Sequence, residues 1–124
     1  MTRNRQSAKK AGTSFETQIA GYLAKHVDDR IERRRLTGAK DRGDIAGIRH
    51  MGQRITVECK NYGGQLKPSQ WTSEAHCEAG NDDALCGIVV AKRKGTTDPG
   101  AQYVLMTLND LIGLLTGTRP DNDL

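Results

Sequence analysis

The segment that decides the fold is Arg54-Ile55-Thr56-Val57-Glu58-Cys59-Lys60. Apolar and polar residues alternate along it, which is typical of a β-strand with one buried face. In a strand, alternate side chains point to opposite faces. One face would carry the apolar residues Ile55, Val57 and Cys59, and the other would carry Thr56, Glu58 and Lys60. We therefore predict a strand over 54–60 that carries the Glu58 and Lys60 side chains on one face, about 7 Å apart along the strand.

Asp44 begins a second predicted strand, 44–49, which a turn at 50–53 joins to the first. A four-residue turn would pair Asp44 with Cys59 and would point its side chain away from Glu58. If the two carboxylates act together, the pairing must shift by one residue. We therefore expect either a three-residue loop containing Gly52 or a β-bulge in this hairpin.

The other elements follow from periodicity and capping signals. A helix is predicted from Thr13, which forms a T-x-x-E capping box with Glu16. The remaining predictions are a strand at 31–36, a loop at 37–43, a helix from Pro68 to about Ala79 with Gly80 as its stop, strands at 84–91 and 103–106, and a final helix capped by Thr107 and Asp110. This order predicts an α/β fold with a mixed central sheet flanked by helices.

The length of 124 residues suits a single hydrophobic core. We predict one domain at 13–118, between a flexible basic arm at 1–12 and a polar tail at 119–124. The sequence has no apolar stretch of the length that a membrane span requires and no secretory signal, so we expect a cytoplasmic protein (host cytoplasm if phage-encoded). The three cysteines fit reduced thiols better than a disulfide framework. Zinc ligation by these cysteines and His76 is the alternative, but the spacing is unlike that of zinc motifs.

The basic residues are concentrated in the first half of the chain. Residues 1–60 contain 14 Lys and Arg against 7 Asp and Glu, whereas the whole chain has a net charge of +4. A basic half favours a polyanion partner, most simply DNA, although a solvated surface is the alternative. The candidate DNA-binding residues are Arg3, Arg5, Lys9, Lys10, Arg33, Arg34, Arg35, Lys40, Arg42, Lys92 and Arg93.

Four residues form the candidate active site: Glu16, Asp44, Glu58 and Lys60. Carboxylates are the ligands that hard divalent cations such as Mg²⁺ prefer, and such cations promote phosphodiester hydrolysis. Asp44 and Glu58 would hold the cation, with Glu16 as an outer or second-metal ligand. Lys60 would orient the attacking water or stabilise developing negative charge. The alternatives are a helix cap for Glu16, a turn residue for Asp44, and an exposed charge pair for Glu58 and Lys60.

The arrangement resembles the PD-(D/E)xK nuclease superfamily, and in length and layout it is similar to archaeal-type Holliday-junction resolvases. The matching pieces are Lys9-Lys10-Ala11-Gly12-Thr13-Ser14-Phe15-Glu16, Arg42-Gly43-Asp44-Ile45 and Thr56-Val57-Glu58-Cys59-Lys60. The resemblance implies a restriction-endonuclease-like αβββαβ core and dependence on Mg²⁺, for which Mn²⁺ substitutes. It also implies the Cys59 carbonyl as a further metal ligand, and a homodimer that cuts two strands symmetrically.

Two departures keep other functions open. Resolvases of that type often place a serine in the loop before the catalytic Asp, and this loop has only Thr37. The segment Asn61-Tyr62-Gly63-Gly64 has no clear counterpart. A restriction- or repair-like nuclease, a nicking nuclease of a phage or mobile element, and a nucleic-acid-binding module without activity remain alternatives. RNA remains an alternative substrate.

Overall fold

The computed structural model describes residues 4–35, 38 and 40–121. These residues form three α-helices, six strands and one 3₁₀ turn. The elements are α1 Arg5–His26, β1 Glu32–Arg33, β2 Ile45–Ala46, β3 Arg49–His50, β4 Gln53–Lys60, α2 Pro68–Asn81, β5 Cys86–Ala91, the 3₁₀ turn Pro99–Ala101, β6 Tyr103–Leu105 and α3 Leu108–Thr116.

The strands form a mixed open sheet in the order β1-β2-β4-β5-β6, and β3 pairs with β4 beyond the end of β2. All neighbouring strands are antiparallel except β4 and β5, which are parallel. Helix α2 provides the crossover that a parallel pair needs. The predicted α/β class with a mixed sheet flanked by helices is therefore confirmed.

The two faces of the sheet bury different sets of residues. The face toward α1 packs in a mainly aliphatic core, which includes Phe15, Ile19, Ile45, Ile55, Val57, Cys86 and Val90. The face toward α2 has a smaller apolar cluster formed by Trp71, Ala75, Val89 and Ala91. Gly87 of β5 allows α2 to approach closely, because a Cβ there would collide with the carbonyl oxygen of Ala75. The polar residues of β4 lie on this second face.

The hairpin before β4 turns over two residues. Met51-Gly52 separates the paired residues His50 and Gln53, so the expected three-residue loop is wrong. Farther from the turn, Ile45 pairs with Val57. This pairing is one residue out of step with the pairing near the turn, so one strand contains an extra residue.

The extra residue is a β-bulge at Gly47, which confirms the second form of that prediction. Gly47 has a φ of 92°, and a Cβ there would lie 2.9 Å from the carbonyl oxygen of Arg30. Only glycine tolerates both conditions. Continued by one residue, the shifted pairing brings Asp44 opposite Glu58 and onto the same face of the sheet.

Helix α1 begins earlier than predicted. It starts at Arg5, and the side chain of Asn4 caps it by accepting a hydrogen bond from the Ser7 backbone N–H. The capping box at Thr13 and Glu16 is therefore wrong, because both residues lie inside the helix. Residues 5–12 include good helix formers such as Gln, Ala and Lys, which extend the helix without an apolar stripe. Residues 5–12 of the predicted arm are thus helical, and residues 1–3 lie outside the described part.

Helix α3 is capped as predicted: the Thr107 side chain and the N3 residue Asp110 form a capping box. Within the predicted polar tail, Arg119 is buried and forms ion pairs with Asp110 and Asp121, so this residue is attached to the fold. The rest of the tail, 122–124, lies outside the described residues. Helix α2 continues through Gly80 to Asn81.

Strand ends also differ from the predictions. The strand predicted at 31–36 is reduced to β1, with residue 36 outside the described part, and the strand predicted at 44–49 is divided by the bulge into β2 and β3. All three cysteines are free, as expected; Cys59 and Cys86 are buried, whereas Cys77 is exposed. Among the described residues, no helix combines the length and apolar character needed to cross a membrane.

Candidate metal and catalytic site

Glu58 is the central residue of the site. Its position near the end of β4 places it on the face that α2 covers, where only 8% of the residue is exposed. Its Oε1 atom lies 3.4 Å from Lys60 Nζ, whereas its Oε2 atom is buried and has no hydrogen-bond partner among the described residues. A buried carboxylate oxygen without a proton donor is unfavourable, so this atom has unused capacity to bind a ligand.

Lys60 is held between two carboxylates. Its Nζ atom donates a hydrogen bond of 2.6 Å to Glu74 Oε2 on α2, and Glu58 lies on its other side. Burial disfavours the charged amine, but the hydrogen bond to Glu74 and the charge of Glu58 outweigh it and raise the pKa of Lys60 to about 12. Lys60 is therefore an ammonium at neutral pH, suited to stabilising negative charge and unsuited to accepting a proton.

Asp44 is fixed beside Glu58 by the backbone of β4. Its N–H donates to the Val57 carbonyl at 2.8 Å, and its Oδ2 accepts from the Cys59 N–H at 2.7 Å. Burial and the nearby charges of Glu58 and Glu16 raise the pKa of Asp44 to about 8, although the Cys59 N–H acts in the opposite direction. Three of the predicted carboxylates are thus close enough to interact electrostatically.

Glu16 approaches the site from α1 and is half-buried. Its Oε2 atom accepts a hydrogen bond of 3.0 Å from Arg33 Nε. Arg33, one of the candidate DNA-binding residues, thus holds a candidate active-site carboxylate. The Cys59 thiol is buried in the apolar core, which raises its pKa, so a role for Cys59 in the site would be limited to its backbone.

Three acidic residues of the site were not predicted: Asp41, Glu74 and Glu78. Asp41, Glu58 and Glu78 each have a carboxylate oxygen within 4.8 Å of the others. Glu78 is 7% exposed, and its Oε2 is buried without a hydrogen-bond partner among the described residues. Burial and the neighbouring Glu58 carboxyl raise the pKa of Glu78 to about 11. The sequence does contain a signal for Glu74 and Glu78. Their four-residue spacing, which Gln70 continues, places the three side chains on one face of a helix.

Asp41 belongs to the loop that precedes β2. Its Oδ1 accepts from the Gly43 N–H at 2.9 Å, and its carbonyl accepts from Asn81 Nδ2 at 2.8 Å. The bond from Asn81 attaches the loop to the end of α2, the helix that carries Glu78. Asp41 itself is exposed, so the acidic cluster is open to solvent on this side.

A basic groove of about 370 Å³ lies next to the acidic cluster. Its lining residues are Arg34, Arg35, Lys40, Asp41, Arg42, Gly43 and Asp44. Arg35, Lys40 and Arg42 are exposed, as expected for phosphate contacts. Arg34 is half-buried, and its Nη1 lies 3.3 Å from Asp82 Oδ1, so part of its charge is compensated within the protein.

The other candidate DNA-binding residues differ in their surroundings. Arg5, Lys9 and Lys10 are exposed on the first turns of α1, and Arg3 lies outside the described residues. Lys92 Nζ donates to the carbonyls of Arg93 and Thr96, at 2.6 and 2.5 Å, so its side chain holds the loop after β5. The Arg93 guanidinium lies 5.4 Å from the centre of the Tyr103 ring.

Comparison with known proteins finds no matching family model, no matching curated protein and no matching solved structure. What the site can do must therefore be derived from its own residues. The donor set consists of carboxyl oxygens, and two of them, on Glu58 and Glu78, are buried without a hydrogen-bond partner among the described residues. Such a set fits a hard divalent cation such as Mg²⁺ or Mn²⁺.

Proposed function

We propose that this protein is a Mg²⁺-dependent DNA endonuclease with a restriction-endonuclease-like αβββαβ core. The observation that carries the proposal is the bulge at Gly47, which brings Asp44 opposite Glu58. Without that shift the two carboxylates would lie on opposite faces of the sheet. A glycine bulge that aligns two acidic residues beside a partly buried lysine is expected of a catalytic site, because bulges often re-aim side chains there.

In this proposal Asp44, Glu58 and the carbonyl of Cys59 hold the cation, and Glu16 acts as an outer ligand that Arg33 orients. A divalent cation at this position would neutralise phosphate charge and increase the acidity of water. The Lys60 ammonium stabilises negative charge on the phosphate during attack. Because its pKa is high, Lys60 stays protonated and cannot accept a proton. In this proposal Lys60 acts through its charge alone, and another group transfers the proton.

The substrate class follows from the basic groove next to Asp44. Three exposed cations, Arg35, Lys40 and Arg42, line this groove together with Asp41 and Asp44. A DNA backbone in this groove would place a phosphate beside the proposed cation ligands. Branched DNA, and specifically a four-way junction cut by a homodimer of this chain, is the substrate that we propose. Mn²⁺ is expected to replace Mg²⁺.

The experiment is a cleavage assay on a labelled four-way junction, with linear duplex, splayed-arm and single-stranded DNA as comparisons. We expect paired symmetric nicks on the junction that require Mg²⁺ or Mn²⁺ and disappear with chelator. Glu58→Gln should reduce the rate by about 1,000-fold or more, because it removes a ligand and a charge from the reaction centre. Asp29→Asn changes an exposed carboxylate remote in sequence from the site and serves as the matched control.

The possible results separate the parts of the proposal. Metal-dependent cutting of linear or splayed DNA would retain the site and would exclude junction selectivity. Tight DNA binding with no cleavage under either metal would contradict the catalytic assignment and would indicate a binding module. Cleavage that survives Glu58→Gln would show that the active site lies elsewhere.

A further inference from the structure

The acidic cluster contains more carboxylates than one cation needs. Asp44 and Glu58 make one pair on the sheet, whereas Asp41 and Glu78 approach Glu58 from the loop before β2 and from α2. Four carboxylates around a single ion would leave excess negative charge in a partly buried site. This surplus suggests that Glu58 serves two ions.

We propose that Asp41, Glu58 and Glu78 form a second divalent-cation site, which shares Glu58 with the proposed catalytic ion. One oxygen of each residue lies within 4.8 Å of the others, a spacing that a small ion can bridge with modest side-chain adjustment. The inference rests on the proposed function through Glu58, which the two ions would share. Binding of a cation at Asp41 and Glu78 can nevertheless be measured without any substrate.

The buried oxygens are an independent sign of a ligand. Glu58 and Glu78 are each more than nine-tenths buried, and the Oε2 atom of each lacks a hydrogen-bond partner among the described residues. Most buried polar atoms in native proteins have a partner, and an exception requires a cause. A cation bound between the two residues would satisfy both oxygens at once.

The chemistry of the site selects the kind of ion. All three ligands are carboxylates, so the site favours Mg²⁺ or Mn²⁺ over soft metals that need thiolate or imidazole. Asp41 is exposed and lines the basic groove, so the ion would be reached from the groove side, with water completing its coordination. An ion at this position faces the groove in which we propose that the DNA backbone lies.

The test is to count bound Mn²⁺ on the full chain by electron paramagnetic resonance, without DNA. We expect two ions per chain for the wild type and for the control Asp29→Asn. Glu78→Gln and Asp41→Asn should each lose one ion, and Asp44→Asn should lose the other. Each amide keeps the size of the carboxylate, and an amide oxygen at position 41 would still accept from the Gly43 N–H, so these variants should keep the fold.

The outcomes distinguish this site from the proposed activity. One ion per wild-type chain that persists in both Glu78→Gln and Asp41→Asn would overturn the second site and would leave the nuclease proposal intact. Two ions that are lost as expected, together with no cleavage of any DNA, would support the site and would contradict the nuclease function. If Glu78→Gln fails to fold, Asp41→Asn still decides, because Asp41 lies on an exposed loop.

Discussion

Helix α2 contacts two buried acidic centres that differ in how their charges are satisfied. At the first, Asp110 of α3 is fully buried and accepts hydrogen bonds from Thr107, pairs with Arg119 and lies 2.7 Å from His76 of α2. At the second, Glu78 of α2 meets Glu58 of β4, and each retains a buried oxygen without a hydrogen-bond partner within the described part of the chain. Helix α2 thus contacts a saturated acidic centre, in which both carboxylate oxygens of Asp110 have partners, and an unsaturated one, in which buried oxygens lack partners among the described residues.

The pKa values of the two centres shift in opposite directions. Burial alone would raise the pKa of Asp110, but the hydrogen bonds with His76 and Thr107 outweigh it and hold the pKa below its usual value. Burial and the Glu58 carboxyl raise the pKa of Glu78 to about 11. A saturated centre stabilises the fold, whereas an unsaturated one destabilises it and is typical of functional sites. The comparison therefore predicts opposite effects on stability when each carboxyl becomes an amide.

The largest of these effects is expected at the saturated centre. Asp110→Asn should lower the free energy of unfolding by about 3 kcal/mol, because it leaves Arg119 buried with less compensation and weakens the cap of α3. Urea denaturation followed by circular dichroism at neutral pH measures this loss. Asp121→Asn removes the exposed partner of Arg119 and should cost about 1 kcal/mol or less.

Equal losses in these two variants would contradict the assignment of Asp110 as the centre of the network. A gain in stability for Asp110→Asn would show that burial of this charge is itself unfavourable. In that case the contrast between the two centres would fail.

The next effect is a gain in stability at the unsaturated centre in the absence of metal. The folded-state pKa of Glu78 is raised from 4.5 to about 11, so the folded protein holds a proton that the unfolded chain releases. This contribution to stability is complete below the pKa that Glu78 has in the unfolded chain. It is lost as the pH rises from that value toward the pKa of Glu78 in the folded protein. Glu78→Gln cannot release that proton, so with chelator it should exceed the wild type by about 1 kcal/mol or more at alkaline pH.

Thermal unfolding at several pH values, with chelator and with Mg²⁺, measures this gain. The difference between Glu78→Gln and wild type should increase with pH under chelation and should decrease when Mg²⁺ stabilises the wild type. Parallel pH profiles for the two proteins would show that Glu78 ionises normally in the fold, and the centre would then not be unsaturated.

Much of the sheet side of the candidate site was predictable from local pattern. The alternation over 54–60 places Glu58 and Lys60 on one face, and the face that Asp44 must share with them implies a bulge or an odd loop. The bulge is present at Gly47. These features can be predicted because side chains alternate between the two faces of a strand. A register shift of one residue therefore moves a side chain from one face to the other. The cap of α3 at Thr107 and Asp110 is local in the same sense.

The helix side of the site required tertiary information. Glu78 meets Glu58 only because α2 packs on the sheet over Gly87, and Asp41 joins them because Asn81 holds its loop. The four-residue spacing of Glu74 and Glu78 places them on one face of α2, but it does not indicate which strand that face will cover. The pairing of Arg33 with Glu16 escaped prediction for the same reason, since the two residues lie on different elements. The start of α1 was missed because polar helix formers give no apolar period.

The last expected effect concerns one hydroxyl group of the saturated centre. The Thr107 hydroxyl lies 2.9 Å from Asp110 Oδ2 and accepts from the Asp110 N–H at 3.3 Å. Thr107→Ala should therefore lower the free energy of unfolding by about 1 kcal/mol, whereas Thr107→Ser keeps the hydroxyl and should retain most of the stability. Urea denaturation of both variants measures the difference. A loss as large as that of Asp110→Asn would mean that the network fails as a unit; equal losses for Ala and Ser would assign the effect to the lost methyl group instead.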